Sequence, residues 1–224
     1  MILTNRLFNR VTPSKEAKSI YIFCEGIVRE FQYFEYFREM DSRIKIEVIK
    51  PEPHGNTTPK GIFTMAEKYF HKKTMAKGKN SYTLMKGDEV WIVFDTDKDK
   101  LETRKPQIEE IRKQCQQKTG WFPAESNPCF EIWLYYHRYK EKPDEQEVLK
   151  FSRFKEYLNS KIRGGFNYKY HTIFIKTAIE NSKANYSETN EGTPAQWSTQ
   201  VFRLADSMYS ILGSKIEDVL KSIS

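Results

Sequence analysis

The sequence predicts an α/β fold: a parallel sheet of about four strands with helices on both faces, extended by a helical C-terminal annex. Three observations lead there. Short apolar runs alternate with segments of helical period in the order β-α-β-α-β-α-β-α, and such alternation argues for parallel strands joined by crossover helices. Two of the runs, Ser19-Ile20-Tyr21-Ile22-Phe23-Cys24 and Glu89-Val90-Trp91-Ile92-Val93-Phe94, are nearly continuous in apolar residues, as in strands covered on both faces. From Pro143 onward the period is mostly helical.

The stretch through Lys18 shows no period and reads as an arm. The first strand, 19–24, ends at Glu25-Gly26, with Gly26 marking the turn into a helix that carries Phe31, Tyr33, Phe34 and Phe37. Ile44 to Ile49 alternates at period two as the second strand and is stopped by Pro51 and Pro53. Pro59 stands near the first turn of a helix through Ile62, Met65, Ala66 and Tyr69. The third strand, 89–94, runs into Asp95-Thr96-Asp97-Lys98-Asp99. A helix with Ile108, Ile111 and Cys115 follows and stops at Gly120. Trp121 to Ala124 reads as a short fourth strand, placed at an edge by Pro123. Asn127 is expected to cap the next helix, with Pro128 at its first position. Residues 19–139 form the predicted α/β core, and 140–224 a helical extension packed on it. The extension has helices over Val148–Leu158, Ile173–Asn181 and Trp197–Ile211 and breaks at Gly164-Gly165 and Asn190–Pro194.

With 38% hydrophobic and 30% charged residues among 224, the chain has the large side chains of a globular core and too much charge for a membrane interior. No apolar run approaches the ~20 residues that span a bilayer, and the opening Met1-Ile2-Leu3-Thr4-Asn5-Arg6 has no apolar signal region. Neither export nor membrane insertion is expected. The cysteines, Cys24, Cys115 and Cys129, have no metal-site spacing and lie in or beside apolar runs, which suits reduced thiols in the cytoplasm. The net charge of +7 is concentrated locally: between Lys68 and Gly87 stand Lys68, Lys72, Lys73, Lys77, Lys79, Lys86 and His71, with no acid. Such a patch either neutralises phosphates or is a solvated helix end.

Ligands of open parallel sheets bind beyond the carboxyl ends of the strands. Three groups of acids fall there: Glu25 after the first strand, Asp95, Asp97 and Asp99 after the third, and Glu131 in the first turn of the helix after the fourth. Crowded carboxylates repel unless protonated or bound to a cation, and an all-oxygen set suits magnesium or manganese. Taken singly, each acid could equally cap a turn or a helix. An EF-hand loop starting at Asp95 is excluded, because Lys100 occupies its required glycine and Pro106 its final glutamate. His54, His71, His137 and His171 form no metal or triad pattern. No Gly-rich or Walker motif indicates ATP binding within the chain.

The combination of Glu-Gly after the first strand and Asp-x-Asp after a later one resembles the Toprim domain of topoisomerases, primases and OLD-type nucleases. Phe23-Cys24-Glu25-Gly26, then Asp88 through Asp97, then Ser126-Asn127-Pro128-Cys129-Phe130-Glu131-Ile132-Trp133 resemble the RloB family more closely, over residues 18–205 and including Ser198-Thr199-Gln200-Val201. The resemblance implies a bacterial, phage-defence-associated protein whose partners include an AAA-type ATPase. It makes Asp95 and Asp97 metal ligands, Glu25 a ligand or a proton-transfer group, and Asp99 a candidate third ligand. Glu131 is counted with the catalytic set, and Gly26, Ser126 and Asn127 shape the site. Lys68, Lys72, Lys73, Lys77 and Lys79, with Lys98 and Lys100 beside the acids, are the candidate nucleic-acid contacts. Lys98 and Lys100 could equally balance the charge of the aspartates. No tyrosine stands in a topoisomerase-like context, and 224 residues leave no room for strand passage or priming. The expectation is a magnesium- or manganese-dependent nuclease acting on DNA or RNA, with a homo-oligomer left open. The alternative is a non-catalytic subunit that binds nucleic acid or an ATPase.

Overall fold

The structure is a computed structural model that describes residues 6–52, 55–76, 84–96 and 101–223; the side chains of Lys73, Met75, Ala76 and Leu101 lie outside the described set. Strands β1 (Lys18–Cys24), β2 (Ile44–Ile49), β3 (Glu89–Asp95), β4 (Trp121–Asn127) and β5 (Ser198–Thr199) form one sheet in the order β2-β1-β3-β4-β5. The first four are parallel, and β5 pairs antiparallel with the end of β4. The helices are α1 (Arg29–Glu35), α2 (Pro59–Ala76), α3 (Leu101–Gln117), α4 (Glu131–Tyr135), α5 (Glu145–Val148), α6 (Phe154–Lys161), α7 (Tyr168–His171), α8 (Ile175–Asn185) and α9 (Val201–Ile223).

Side chains alternate across the pleat, and the two faces gather separate cores. Ile20, Ile22 and Cys24 of β1 with Trp91 and Val93 of β3 pack under α1, α4, α6, α8 and α9. Tyr21 and Phe23 with Val90, Ile92 and Phe94 pack under α2 and α3. Helix α1 therefore lies on one face, and α2 and α3 on the other. With right-handed crossovers, this places the topological switch between β1 and β3, where a crevice opens at the carboxyl ends of the strands. The C-terminal segment belongs to the first core: Leu204, Ala205, Met208, Leu212 and Ile216 of α9 are buried together with Tyr33 and Phe34 of α1.

Several boundaries differ from the sequence expectation. β4 is seven residues long, not a short apolar stub. In its polar half Glu125 and Ser126 are buried and Asn127 half-buried, with partners: Glu125 has Thr96 and Arg112, Ser126 Oγ has Thr199 Oγ1 at 2.8 Å, and Asn127 Nδ2 donates to Pro194 O at 2.9 Å. Pro123 is accommodated because β5 pairs only with Ser126 and Asn127, so the outer side of β4 is open at the proline. Asn127 is the last residue of β4 and caps no helix, and Pro128 follows it through a cis peptide. Phe130 takes the N-cap position, without a side-chain cap, and Glu131 begins α4. The expected helix over 148–158 is two, α5 and α6. The last helix starts at Val201, because Trp197 adopts a positive φ of 64° and Ser198–Thr199 enter the sheet. Cys24 and Cys115 are buried thiols and Cys129 is half-buried. Among the described residues no helix is long and apolar enough to cross a membrane.

Candidate active site at the β1–β3 switch point

Glu25 and Asp95 leave the two strands that flank the switch point. In the register Cys24 stands opposite Val93, and Glu25 N–H continues the ladder to Val93 O at 3.0 Å. By the alternation of the pleat Glu25 follows Tyr21 and Phe23 onto the α3 face, whereas Asp95 follows Trp91 and Val93 onto the α1 face. Glu25 is held from three sides. Arg104 of α3 donates through Nη1 to Oε1 at 3.0 Å and through Nη2 to Oε2 at 2.6 Å, and Asp95 N–H donates to Oε2 at 3.1 Å. Arg104 Nη2 also reaches Asp95 O at 2.7 Å, so one guanidinium ties both strand ends to α3.

Asp95 lies against Glu30 of α1. Burial, then the charges of Glu30 and Glu25, push the Asp95 carboxyl well above the ordinary carboxylate range; Arg104 and a hydrogen bond from the Phe130 backbone act in the opposite sense. Glu30, only 7% exposed, is also pushed up, first by burial and then by Glu25, while its own N–H and that of Gly26 and the charge of Arg29 pull the other way. The glycine at 26 is a spatial requirement: a Cβ there would lie 1.7 Å from Glu30 Oε2. Glu131, also buried, forms an ion pair with Arg29 and so ties the start of α4 to the start of α1.

Of the residues singled out from sequence, Glu25, Gly26, Asp95 and Glu131 meet around this crevice, while Ser126 and Asn127 are taken up in the β4 contacts above. Asp97, Asp99, Lys98, Lys100, Lys77 and Lys79 lie outside the described residues, as does the Lys73 side chain. Lys68 and Lys72 are exposed on α2. His137 is structural: its ring is buried among Tyr33, Trp133 and Phe166.

Two residues of the site were not singled out from sequence, and both carried a signal. Arg104 stands on the stripe 104, 108, 111, 115 that also carries the core residues Ile108, Ile111 and Cys115. Glu30 stands on the stripe of Tyr33, Phe34 and Phe37. A charge at a core position of an amphipathic helix needs a buried partner.

Among the described residues, no three His, Cys, Asp or Glu side chains are arranged to hold a metal ion. In donor chemistry the residues nevertheless fit a hard divalent cation: Glu25, Glu30 and Asp95 offer only oxygen, and the raised affinity of Glu30 and Asp95 for protons reflects burial and an excess of negative charge. Arg104 offsets part of that charge.

An open, largely parallel α/β sheet with acids gathered at its switch point defines the class of protein. Within that class the chain belongs to the RloB-like family, whose model matches residues 20–208. No curated protein and no solved structure matches it.

Proposed function

We propose that this RloB-like protein is a metal-dependent phosphodiesterase of the Toprim type that cleaves DNA or RNA, with the crevice between β1 and β3 as its active site. The observation that carries this reading is the crowding of Glu30 of α1 against Glu25 and Asp95 at the carboxyl ends of β1 and β3, which raises the carboxyl pKa of Glu30 and of Asp95. Structural acids at strand ends are ordinarily solvated or singly paired; perturbed, mutually repelling ones mark functional sites.

Glu25, Asp95 and, by resemblance, Asp97 are the residues that would hold magnesium or manganese, which supplies Lewis acidity toward a phosphodiester. The rest follows from the chain itself. Arg104 and the Asp95 N–H fix both oxygens of Glu25, which removes the orientational cost of assembling the site. Glu30, whose proton affinity is raised by burial and by the charge of Glu25, is suited to hold a proton beside these ligands. A cytoplasmic role in anti-phage defence beside an AAA-type ATPase belongs to the same proposal and comes from the family resemblance.

One observation favours a second reading, a non-catalytic subunit that binds nucleic acid or the ATPase: both oxygens of Glu25 are already engaged by Arg104. Cleavage of single- and double-stranded DNA and RNA, with magnesium, manganese or chelator, decides between them. Metal-dependent cutting by wild type, lost in both Asp95→Ala and Glu25→Ala, is the expected result. Equal inertness of all three proteins, alone and with the ATPase, would leave the binding-subunit reading standing.

A further inference from the structure

A lysine-lined groove opens beside the crevice, on the β2 side of the sheet edge. On α2, Lys60, Thr64, Lys68 and Lys72 recur every four residues and form one line along the helix, flanked by Gly61, Met65 and Tyr69. Four residues rise by about 6 Å, so the line extends for about 18 Å. Together with Lys50 from the end of β2, these residues line a cavity of about 740 Å³. At Gly61 the loop packs directly on the helix, since a Cβ there would lie 2.4 Å from Asn56 O.

The charge of this groove is unbalanced. Lys50, Lys60, Lys68 and Lys72 are all exposed, and none forms an ion pair with a described residue, whereas Lys45, Lys118, Lys161 and Lys183 each do. Among the described residues, Glu52 is the one carboxylate lining the cavity. Lys50 lines the cavity, but its Nζ stands 4.8 Å from the centroid of the Phe31 ring of α1, on the other face of the sheet, so the cationic line of the groove is that of Lys60, Lys68 and Lys72. The groove also has a direction. Phe23 pairs with Ile49, so continuing the register sets Lys50 beside Cys24 and Pro51 beside Glu25.

We propose that this groove holds the phosphate backbone of a single nucleic-acid strand and leads it to the carboxylates of β1 and β3; its destination rests on the nuclease reading, its charge does not. Lysines spaced along a concave line with partly apolar walls suit a flexible strand that can enter the cleft.

The test is binding of a 12-residue oligo(dT), the matching oligo(rU) and a 12-base-pair duplex to the full chain in chelator, by fluorescence anisotropy across a salt series. Single strands are expected to bind more tightly than duplex. In Lys60→Ala/Lys68→Ala, the slope of log K against log salt should fall in magnitude by about 1.4, that is about 0.7 for each lost phosphate contact. A Lys150→Ala/Lys155→Ala protein, altered at exposed lysines of the C-terminal segment, should keep the wild-type slope. An unchanged slope in the groove variant, or duplex binding as tight as single-strand binding, overturns the proposal. Because chelator is present, binding with the expected slopes but no cleavage in any metal, alone or with the ATPase, would leave the groove established and refute the nuclease. Cleavage with an unchanged slope would do the reverse.

Discussion

Arg104 and Glu25 meet as a two-pronged ion pair, Nη1 to Oε1 and Nη2 to Oε2, although they lie 79 residues apart. Arg104 is 5% exposed and its guanidinium also bonds the backbone oxygen of Asp95, so it acts as an internal cation at the centre of an acidic crevice. Replacing it with alanine leaves a partly buried carboxylate without its partner, a change that costs about 3 kcal/mol. Urea unfolding of Arg104→Ala should show that loss. Arg104→Lys should recover only part of it, since an ammonium cannot satisfy both oxygens in the same fork. Equal stability of Arg104→Ala and wild type would refute the arrangement.

Gly26 and Glu30 share one space. Gly26→Ala is expected to displace the Glu30 carboxyl and to cost about 1–2 kcal/mol, the usual range for forcing an extra methyl into a packed site. In a Glu30→Ala background the same substitution should be nearly neutral. The double-mutant cycle therefore has a definite sign, and additive effects would show that the clash is relieved elsewhere.

His137 is held neutral. Its Nδ1 lies 3.0 Å from Trp133 O, which can only accept, so Nδ1 carries the proton and Nε2 receives the Tyr33 hydroxyl at 3.1 Å. Burial is the main cause that brings its pKa down to about 3, from an ordinary 6.5. With the folded-state value below the unfolded one, the unfolded chain binds the extra proton. The stability contributed by neutral His137 is thus complete above 6.5 and is lost as pH falls toward 3, at about 1.4 kcal/mol per unit. The ring resonances of His137 should show no titration between pH 5 and 8; a midpoint near 6.5 would contradict the buried placement.

Glu30 and Asp95 have the opposite dependence. Their folded-state pKa values are raised, so the folded protein holds protons that the unfolded chain releases, and stability falls as pH rises from ordinary carboxylate values of 4.5 and 3.8 through the raised ones. Asp95→Asn and Glu30→Gln should each flatten that decline in denaturation curves recorded from pH 4 upward. A decline as steep as in wild type would mean that neither carboxyl is perturbed.

On β4, Glu125 is fully buried. It accepts from Thr96 Oγ1 at 2.9 Å and pairs with Arg112, and burial is the main cause that raises its carboxyl pKa. Arg112→Ala should destabilise by about 3 kcal/mol or more, whereas Glu125→Gln with Arg112→Met, which removes both charges, should cost much less. Calorimetric melting of the single and double variants checks this, and equal losses would show that the charges do not matter to each other.

The sequence by itself determined the layers of the fold and the position of the acids. Strand-length apolar runs at 19–24 and 89–94, and the period-two pattern at 44–49, depend on local alternation, which a linear reading can follow. Glu25 and Asp95 are legible because they directly follow such runs. β4 was under-read because Glu125, Ser126 and Asn127 are polar: the partners that let them be buried, Arg112, Thr199 and Pro194, lie 13, 73 and 67 residues away. Asn127-Pro128 likewise matches a helix start in local chemistry, yet pairing with Ser198 keeps Asn127 in the sheet. Only the tertiary structure decided that Glu25 faces α3 while Asp95 faces α1, that Arg104 ties the Glu25 carboxylate to the backbone of Asp95, and that Lys60, Lys68 and Lys72 line one groove. Those facts depend on strand order and on which face each crossover takes, and such relations arise only when distant segments pack together.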